Sequence, residues 1–395
     1  MMNDIAQKLV AASTGGMSAV RTIIELCPIE GDGGKAAPPT HKDGKYAFEK
    51  RFLEGRKDVE TVLLDSVQSQ ANRLEEMLLN ALRAGEINIP LLQMEIPGHQ
   101  ILTSLTVPHR AHDAIFRDSR LDGVPFRQSK IGKEMVEARA WNATGMYRVC
   151  PTALLFGTWD SQGGGGVNSA KFARALVSEI IGIDVVQGVK TASRIDPLGI
   201  KKTAGIIFES KAEQWTLDPE SAVKGKDKKP KFYKKGTPAE INHGNIPPTI
   251  ADGAFTFRTA RQTSVISFTQ LRKLCFLVDG KDEPDRNVVG RALLAALGLY
   301  AITMQIEEGY QLRSRCHLVP TAPANFEWIG TIASTETKAE SRPLDPKLMK
   351  DAVQELYAEA KSLGLEWEEN PITLTPEDKL VKLVQASDES TETED

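Results

Sequence analysis

The chain has few cysteines, no excess of positive charge and no long apolar run. Its 395 residues include four cysteines, which lie far apart in the sequence: Cys27, Cys150, Cys275 and Cys316. Cysteines without paired spacing favour a reducing compartment and argue against structural zinc. The N-terminus also lacks the basic and then apolar segments of a secretory signal. We therefore expect a soluble, cytoplasmic protein.

The most apolar segment, residues 288–306, is interrupted by Arg291, Gly298 and Gln305. Its uninterrupted apolar stretch is shorter than the roughly 18 residues that a membrane span needs. We expect a buried core helix here and no membrane partner.

Charge is balanced globally and segregated locally. Lys and Arg number 49 and Asp and Glu 53, so the net charge of −4 gives no overall sign of nucleic-acid binding. One short segment holds seven lysines against Asp227: Lys224, Lys226, Lys228, Lys229, Lys231, Lys234 and Lys235. Residues 386–395 are acidic, and their composition predicts a disordered tail.

The most informative segment is a strand followed directly by a polar helix start. Residues 59–64 are apolar and β-branched, as in a buried strand. Asp65 or Ser66 can cap the helix, and Gly85 can end it. The inner face is predicted to consist of Val67, Ala71, Leu74, Leu78 and Leu82. Gln68, Ser69, Gln70, Asn72 and Arg73 are then expected to face outward, either as a solvated first turn or beside a bound anion.

The remaining pattern predicts a mixed α+β fold. Residues 86–150 combine short strands with arginine-rich polar segments, and residues 182–253 are irregular and rich in lysine. The other predicted elements are strands at 19–26, 151–156, 255–268 and 310–319, and helices at 168–181, 288–306 and 346–363. This order is typical of a ferredoxin-like domain that carries two insertions.

A glycine run at residues 163–166 precedes the predicted helix at 168–181. Neither Gly-Lys-Ser/Thr nor a dinucleotide-binding fingerprint follows it, so nucleotide hydrolysis is not supported. Lys171 and Arg174 would lie on the first turns of that helix, where the helix dipole disfavours cations. A bound phosphate would offset that cost; otherwise these are solvated charges.

Other polar groups have weaker interpretations. His109, His112 and Asp113 have a spacing that is poor support for a metal site. His243 and Asn245 lie in a loop that either binds RNA or braces its surroundings. Phe255 and Phe257 alternate as in RNA-recognition motifs, although such residues more often belong to a core. No catalytic constellation stands out, so we expect no enzymatic activity and no cofactor.

A resemblance sharpens these expectations. Residues 63–76 read Leu-Leu-Asp-Ser-Val-Gln-Ser-Gln-Ala-Asn-Arg-Leu-Glu-Glu. This segment resembles a signature of the backbone subunit of type I-U (also called I-G) CRISPR Cascade complexes, which belongs to the RAMP superfamily. Further resembling blocks occur in the same order at residues 38–40, 154–161, 170–175, 193–198 and 242–248.

The resemblance implies a single RAMP-type domain over residues 1–385, followed by the acidic tail. Its fold would be an RNA-recognition-motif-like (ferredoxin-like) palm, with a finger-like insertion at about 86–150 and a thumb-like arm at about 182–253. Its function would be to hold CRISPR RNA and present the guide for pairing with target DNA. The implied partners are CRISPR RNA, target DNA through the guide, head-to-tail copies of the chain and other Cascade subunits.

The resemblance and the polar pattern together give twelve candidate RNA-binding residues: Ser66, Gln68, Ser69, Gln70, Asn72, Arg73, Lys171, Arg174, Ser193, Arg194, His243 and Asn245. Two alternatives remain. RNA-cutting relatives use an aspartate in the loop after the first strand, where Asp32 and Asp43 lie, so a metal-dependent endoribonuclease is one. A scaffold whose lysine-rich arm binds an acidic protein is the other.

Overall fold

The computed structural model describes residues 2–160, 170–330 and 341–394, so the glycine run at 163–166 lies outside the described residues. The chain divides into two compact units. Unit 1 comprises Met1–Val186 and Phe255–Leu380, and unit 2 comprises Gln187–Ala254 and Val381–Asp395.

The helices are α1 (Asp4–Thr14), α2 (Val67–Arg83), α3 (Ala114–Arg117), α4 (Lys130–Val136), α5 (Thr144–Val149), α6 (Pro151–Phe156), α7 (Phe268–Leu271), α8 (Pro284–Glu308), α9 (Pro346–Ser362) and α10 (Asp378–Glu394). The first strands are β1 (Met17–Pro28), β2 (Phe48–Leu53), β3 (Arg56–Asp65), β4 (Leu92–Met94), β5 (Leu102–Thr103), β6 (Ser119–Leu121), β7 (Val124–Pro125), β8 (Thr158–Trp159) and β9 (Lys171–Phe172). The later strands are β10 (Leu176–Arg194), β11 (Phe208–Ser210), β12 (Gln214–Thr216), β13 (Ile246–Ser267), β14 (Tyr310–Arg313), β15 (Cys316–Pro320), β16 (Phe326–Gly330), β17 (Ser341–Arg342) and β18 (Ile372–Pro376).

A nine-stranded sheet forms the centre of unit 1, with the order β14-β15-β1-β13-β10-β3-β2; β16 also pairs with β1, and β17 pairs with β16. β1 runs antiparallel to β13, with Val20 opposite Ile266. Along β1, buried residues alternate with more exposed ones, as expected for a sheet with one face on the core. Phe255 is only 1% exposed and belongs to the core, and Phe257 packs against it, so the core interpretation holds for this pair.

Six elements at the centre of the main sheet follow one another along the chain as β1, α2, β10, β13, α8 and β15, with β2 and β3 between β1 and α2 and β14 between α8 and β15. Across the sheet the four strands have the order β15-β1-β13-β10. The antiparallel pairing of β1 with both β13 and β15 makes this a mixed α+β architecture.

Helix α8 lies in the core of unit 1. It is long and apolar enough to cross a membrane by length and composition, but 83% of its most apolar 18-residue window is buried inside the protein. A Cβ at Gly298 would lie 2.8 Å from Ile266 and 2.9 Å from Leu176, so this glycine lets the sheet approach the helix closely. The predicted core helix is confirmed.

The predicted insertion at 86–150 contributes to a second sheet, of five strands in the order β5-β4-β18-β6-β7. Its central strand, β18, comes from the C-terminal part of the chain and runs parallel to β4 and antiparallel to β6. A pairing between segments this far apart in sequence leaves no local pattern, so the sequence did not predict it.

The strand predicted at 310–319 is a hairpin of two strands, β14 and β15, and two other predicted elements have the wrong secondary structure. Residues 151–156 form helix α6 instead of a strand; all six are buried, and a short apolar run does not distinguish the two structures. The predicted helix at 168–181 is replaced by β9 and the start of β10. Its apolar residues fit a helical period, but the β-branched run that begins at Ile180 favours an extended strand.

Unit 2 contains the ends of the two longest strands, β10 and β13, together with the hairpin of β11 and β12. The irregular segment was expected at 182–253, but strand β10 runs without interruption to Arg194, and its residues up to Val186 belong to unit 1. All seven lysines between residues 224 and 235 are exposed. Residues 386–394 of the acidic tail, for which composition predicts disorder, form part of helix α10.

Candidate nucleic-acid interface

The start of helix α2 is organised around a buried carboxylate. Ser66 caps the helix, and its Oγ accepts a hydrogen bond from the Ser69 backbone amide at 3.2 Å. The side chain of Asp65, the last residue of β3, is fully buried. Its two oxygens accept from four side chains: Ser69 Oγ (2.8 Å), Gln70 Nε2 (2.7 Å), Arg73 Nε (3.0 Å) and Arg313 Nη2 (3.0 Å).

These contacts direct Ser69, Gln70 and Arg73 inward, whereas the sequence predicted them to face outward. Arg73 also donates to the carbonyl oxygen of Leu312 at 2.5 Å, which ties α2 to strand β14. A buried carboxylate needs such partners because burying an unpaired charge costs several kcal/mol. The helical spacing of apolar residues predicted that these residues lie on the outer face. That spacing gives no information about the buried carboxylate of Asp65 on the preceding strand.

Gln70 continues this interior network. Its Oε1 accepts from Ser178 Oγ at 3.1 Å and from Gln262 Nε2 at 2.8 Å, and the Tyr310 hydroxyl donates to Gln262 Oε1 at 2.6 Å. Burial raises the pKa of Tyr310, so its hydroxyl remains a donor at neutral pH. The network links α2 to β10, β13 and β14, so Gln70 has a structural role in this unit.

The outward residues of α2, Gln68 and Asn72, lie in a groove of about 920 Å³. The groove is bounded by α2, by residues 108–117 and by strands β8 and β9. Its charged and histidine lining consists of Arg110, Arg117, Arg127, Lys171, Arg174, His109, His112 and Asp160. The lining holds five cations and one carboxylate, and three of the cations form ion pairs, so Lys171 and Arg174 are the two that make the groove suited to an anionic ligand.

Lys171 and Arg174 enter this groove from a strand and the connection after it, not from a helix. Both are exposed, and within the described part of the chain neither lies within ion-pair distance of a carboxylate. Lys171 Nζ lies 5.4 Å from the centroid of the Trp159 ring. Gly157, with φ +82°, lets Arg174 pack closely, since a Cβ there would lie 2.9 Å from Arg174 Cγ.

The three other arginines of the groove are anchored by carboxylates. Arg110 donates to both oxygens of Glu75 at 2.7 Å, and both side chains are buried. Burial raises the pKa of Glu75 to about 7, against the opposing effect of the guanidinium. Outside that buried pair, two ion pairs hold the groove arginines: Arg117 with Asp118 at 2.6 Å and Arg127 with Asp160 at 2.7 Å.

The histidine pair has structural partners. His112 is buried, and its Nδ1 lies 3.0 Å from Thr158 Oγ1. Burial lowers the pKa of His112 to about 4, so the ring is neutral at pH 7. Asp113 caps helix α3 by accepting from the Ile115 amide. Within the described ranges, no cluster of three or more His, Cys, Asp or Glu side chains has the geometry of a metal site.

The candidates in unit 2 surround a different carboxylate, Asp196. Its oxygens accept from the backbone amides of Gly244 (2.7 Å), Leu198 (2.9 Å) and Ile200 (3.2 Å), and these bonds, the Gly244 one foremost, lower its pKa. Asn245 Oδ1 accepts from the Asp196 amide at 2.7 Å. Arg194 donates twice to the Gly244 carbonyl oxygen, at 3.1 and 2.9 Å, and His243 Nδ1 lies 3.6 Å from Asp196 Oδ2.

Arg194, His243 and Asn245 therefore brace two neighbouring segments of unit 2. For His243 and Asn245 this is one of the two roles that the sequence left open, whereas Arg194 was predicted only as an RNA contact. Ser193 is exposed beside them. The structure thus brings together only Gln68, Asn72, Lys171 and Arg174 of the twelve candidates in one groove.

The sequence assigned no role to three further groove residues, Trp159, Arg117 and Arg127. The two arginines occur in the arginine-rich segment at 86–150, and Trp159 lies in one of the resembling blocks. Their chemistry was visible in the sequence, but segments distant in the chain bring them to one groove.

Residues 20–187 match the model of a family described as CRISPR-associated protein GSU0053. The match covers less than half of the chain and contains every residue that lines the groove. One chain of a structure titled "CRISPR RNA-guided surveillance complex, pre-nicking" aligns with 94% of this chain and 99% of its own, at 9% identity and a TM-score of 0.36. A TM-score this low does not establish a shared fold. No curated protein matches the chain significantly.

Proposed function

We propose that this chain is the CRISPR RNA-holding backbone subunit of a type I-G Cascade complex, and that the groove of unit 1 binds the guide. The observation that carries the proposal is the coincidence of two findings. The groove presents two exposed cations, Lys171 and Arg174, beside three arginines held in ion pairs, and all of its lining lies within the segment that matches a CRISPR-associated family.

The groove chemistry suits a ligand bound through its backbone. Lys171 and Arg174 offer charge to phosphates, and Gln68 and Asn72 offer amide groups that both donate and accept hydrogen bonds. A guide-holding protein needs such contacts because pairing between guide and target, not the protein, reads the sequence.

The topology supports an RNA-recognition-motif-like palm. A ferredoxin-like domain has the chain order β-α-β-β-α-β, and here β1, α2, β10, β13, α8 and β15 follow that order. The insertion at 86–150 would be the finger, and unit 2, with its exposed lysines, the thumb. Copies would assemble head to tail along the guide in the cytoplasm, since an interface that does not close generates a filament. Target DNA and the other Cascade subunits would be further partners.

The test is to express the full chain together with a CRISPR array and to identify the RNA that co-purifies. We expect an elevated ratio of absorbance at 260 to 280 nm that falls after ribonuclease treatment, and guide RNA on sequencing. The double variant Lys171→Ala/Arg174→Ala should lose most of this RNA. Lys50→Ala/Lys57→Ala removes two exposed charges outside the groove and should retain it. Recovery of no RNA, or equal loss in both variants, would refute the assignment of the groove.

We also propose that the chain binds RNA without cutting it. Asp32 and Asp43, the aspartates comparable to those of RNA-cutting relatives, are both exposed. Labelled guide RNA or complementary RNA should stay intact with the protein in Mg²⁺ or Mn²⁺. Fragments that disappear in Asp32→Ala or Asp43→Ala would establish the ribonuclease instead.

A further inference from the structure

Trp159 is an exposed tryptophan with no role in the core of unit 1. It is 58% exposed, whereas Trp328 and Trp367 in the same unit are 3% and 4% exposed. Large aromatic side chains on a surface are often binding anchors. Trp159 also lines the groove, next to the cations proposed to meet phosphates.

The pairing of β8 with β9 presents the ring beside a cation. Trp159 is opposite Lys171, and Thr158 is opposite Phe172. Thr158 and Phe172 are 8% and 5% exposed, so one face of the ribbon is buried and the other carries Trp159 and Lys171.

The backbone on both sides of Trp159 is held in place. Arg110 Nη1 donates to the Gly157 carbonyl oxygen at 3.1 Å, and the Asp160 amide donates to the Ala170 carbonyl oxygen at 2.9 Å. Arg110 is itself fixed by its buried pairing with Glu75. A ring whose backbone is fixed before binding loses less conformational freedom when a ligand stacks on it.

A ligand that uses this surface must combine a flat π-face with nearby negative charge. An unpaired nucleobase attached to its phosphate has both, because every base has a π-face that can stack on an aromatic ring. A neutral apolar protein segment would instead desolvate Lys171 and Arg174 without pairing their charges.

We propose that Trp159 is the stacking surface for one unpaired base of single-stranded RNA, while Lys171 and Arg174 bind phosphates of the same strand. The inference rests on the proposed function and adds to it the way in which one nucleotide is held. Stacking tolerates any base, so the contact holds a guide of arbitrary sequence.

The experiment compares oligouridine RNA with an abasic ribose-phosphate strand of the same length, each titrated with the full chain. Trp159→Leu should weaken binding of oligouridine about 5- to 150-fold, the range typical of one base–aromatic stack. It should leave binding of the abasic strand unchanged. Trp159→Phe should retain most of the affinity, and Trp141→Leu is the matched control, since Trp141 is 67% exposed and lies outside the groove.

A second measurement does not depend on any variant. RNA that contains 5-iodouridine is irradiated with the wild-type chain, and the crosslinked peptide is identified by mass spectrometry. We expect a crosslink at Trp159. Three outcomes would overturn the stacking role and leave RNA binding intact. They are an equal loss of affinity for both strands in Trp159→Leu, an unchanged affinity of that variant for oligouridine, and crosslinks only at residues other than Trp159. Failure of the wild-type chain to bind either strand would refute the proposed function itself.

Discussion

Replacing Asp65 by asparagine tests whether the polar residues at the start of α2 stabilise the fold or contact RNA. Asp65→Asn keeps the shape of the side chain and removes its charge, which leaves the guanidinium groups of Arg73 and Arg313 without their carboxylate. Breaking a buried ion pair on one side typically costs about 3–5 kcal/mol. The two arginines are 26% and 25% exposed, so water solvates them in part, and we expect the free energy of unfolding to fall by about 3 kcal/mol.

The matched control lies on the same helix. Asn72 is exposed in the groove, so Asn72→Ala should change the free energy of unfolding by less than about 0.5 kcal/mol. It should weaken RNA binding by about 1 kcal/mol, the typical net value of one hydrogen bond.

Urea unfolding followed by tryptophan fluorescence measures the first effect, because Trp328 and Trp367 are buried in unit 1. Filter binding of guide RNA measures the second. If Asp65→Asn unfolds at the wild-type urea concentration but loses RNA affinity, the carboxylate faces the ligand and the hydrogen-bond assignment is wrong.

Three further predictions concern salt, pH and the lysines of unit 2. Lys171→Ala and Arg174→Ala should each lower the slope of log affinity against log salt concentration by about 0.7, equally for unrelated RNA sequences; a change confined to one sequence would indicate base readout. The pKa of His112 is lowered to about 4 from 6.5 in the folded chain. As the pH falls below about 6.5, His112 is therefore protonated in the unfolded chain and stays neutral in the folded chain. Stability should therefore fall by up to about 3 kcal/mol between pH 6.5 and 4, and urea midpoints of His112→Asn should lack that part of the pH dependence. A variant with four lysines of unit 2 replaced by glutamine should keep its circular dichroism spectrum and form fewer RNA-dependent particles in sedimentation; the four are Lys226, Lys228, Lys229 and Lys234. The control Lys231→Gln removes a partner of Glu209 and should have little effect on assembly. Unchanged sedimentation would argue against a thumb in unit 2.

The sequence predicted best those elements whose pattern is local and long. The helices α2, α8 and α9 lie close to their predicted bounds, and Ser66, one of the two caps that the sequence offered, caps α2. The strands β1 and β3 also lie where β-branched runs predicted them. In these segments the spacing of apolar residues along the chain fits only one type of secondary structure. No contact with a distant segment is therefore needed to choose between helix and strand.

The failures arise where distant partners decide the structure. Residues 176–181 fit a helical period as well as a strand, and pairing of β10 with β3 and β13 selects the strand. The same is true of polar side chains: Ser69, Gln70 and Arg73 were expected to be outward because nothing local shows that Asp65 is buried. A polar-rich helix start therefore identifies a site less reliably than the fold that surrounds it.

The distribution of charge in the groove has a consequence for assembly. Arg110, Arg117 and Arg127 already neutralise carboxylates, which leaves Lys171 and Arg174 as the groove cations available to phosphates. Two phosphate contacts would give one copy of the chain a weak, strongly screened interaction, with a slope of log affinity against log salt of about 1.4. Copies joined along one RNA add their contacts, because each bound neighbour raises the effective concentration of the next site. If the proposed function is right, one copy of the chain would therefore hold a guide weakly, and firm binding would require an array of copies along the same RNA.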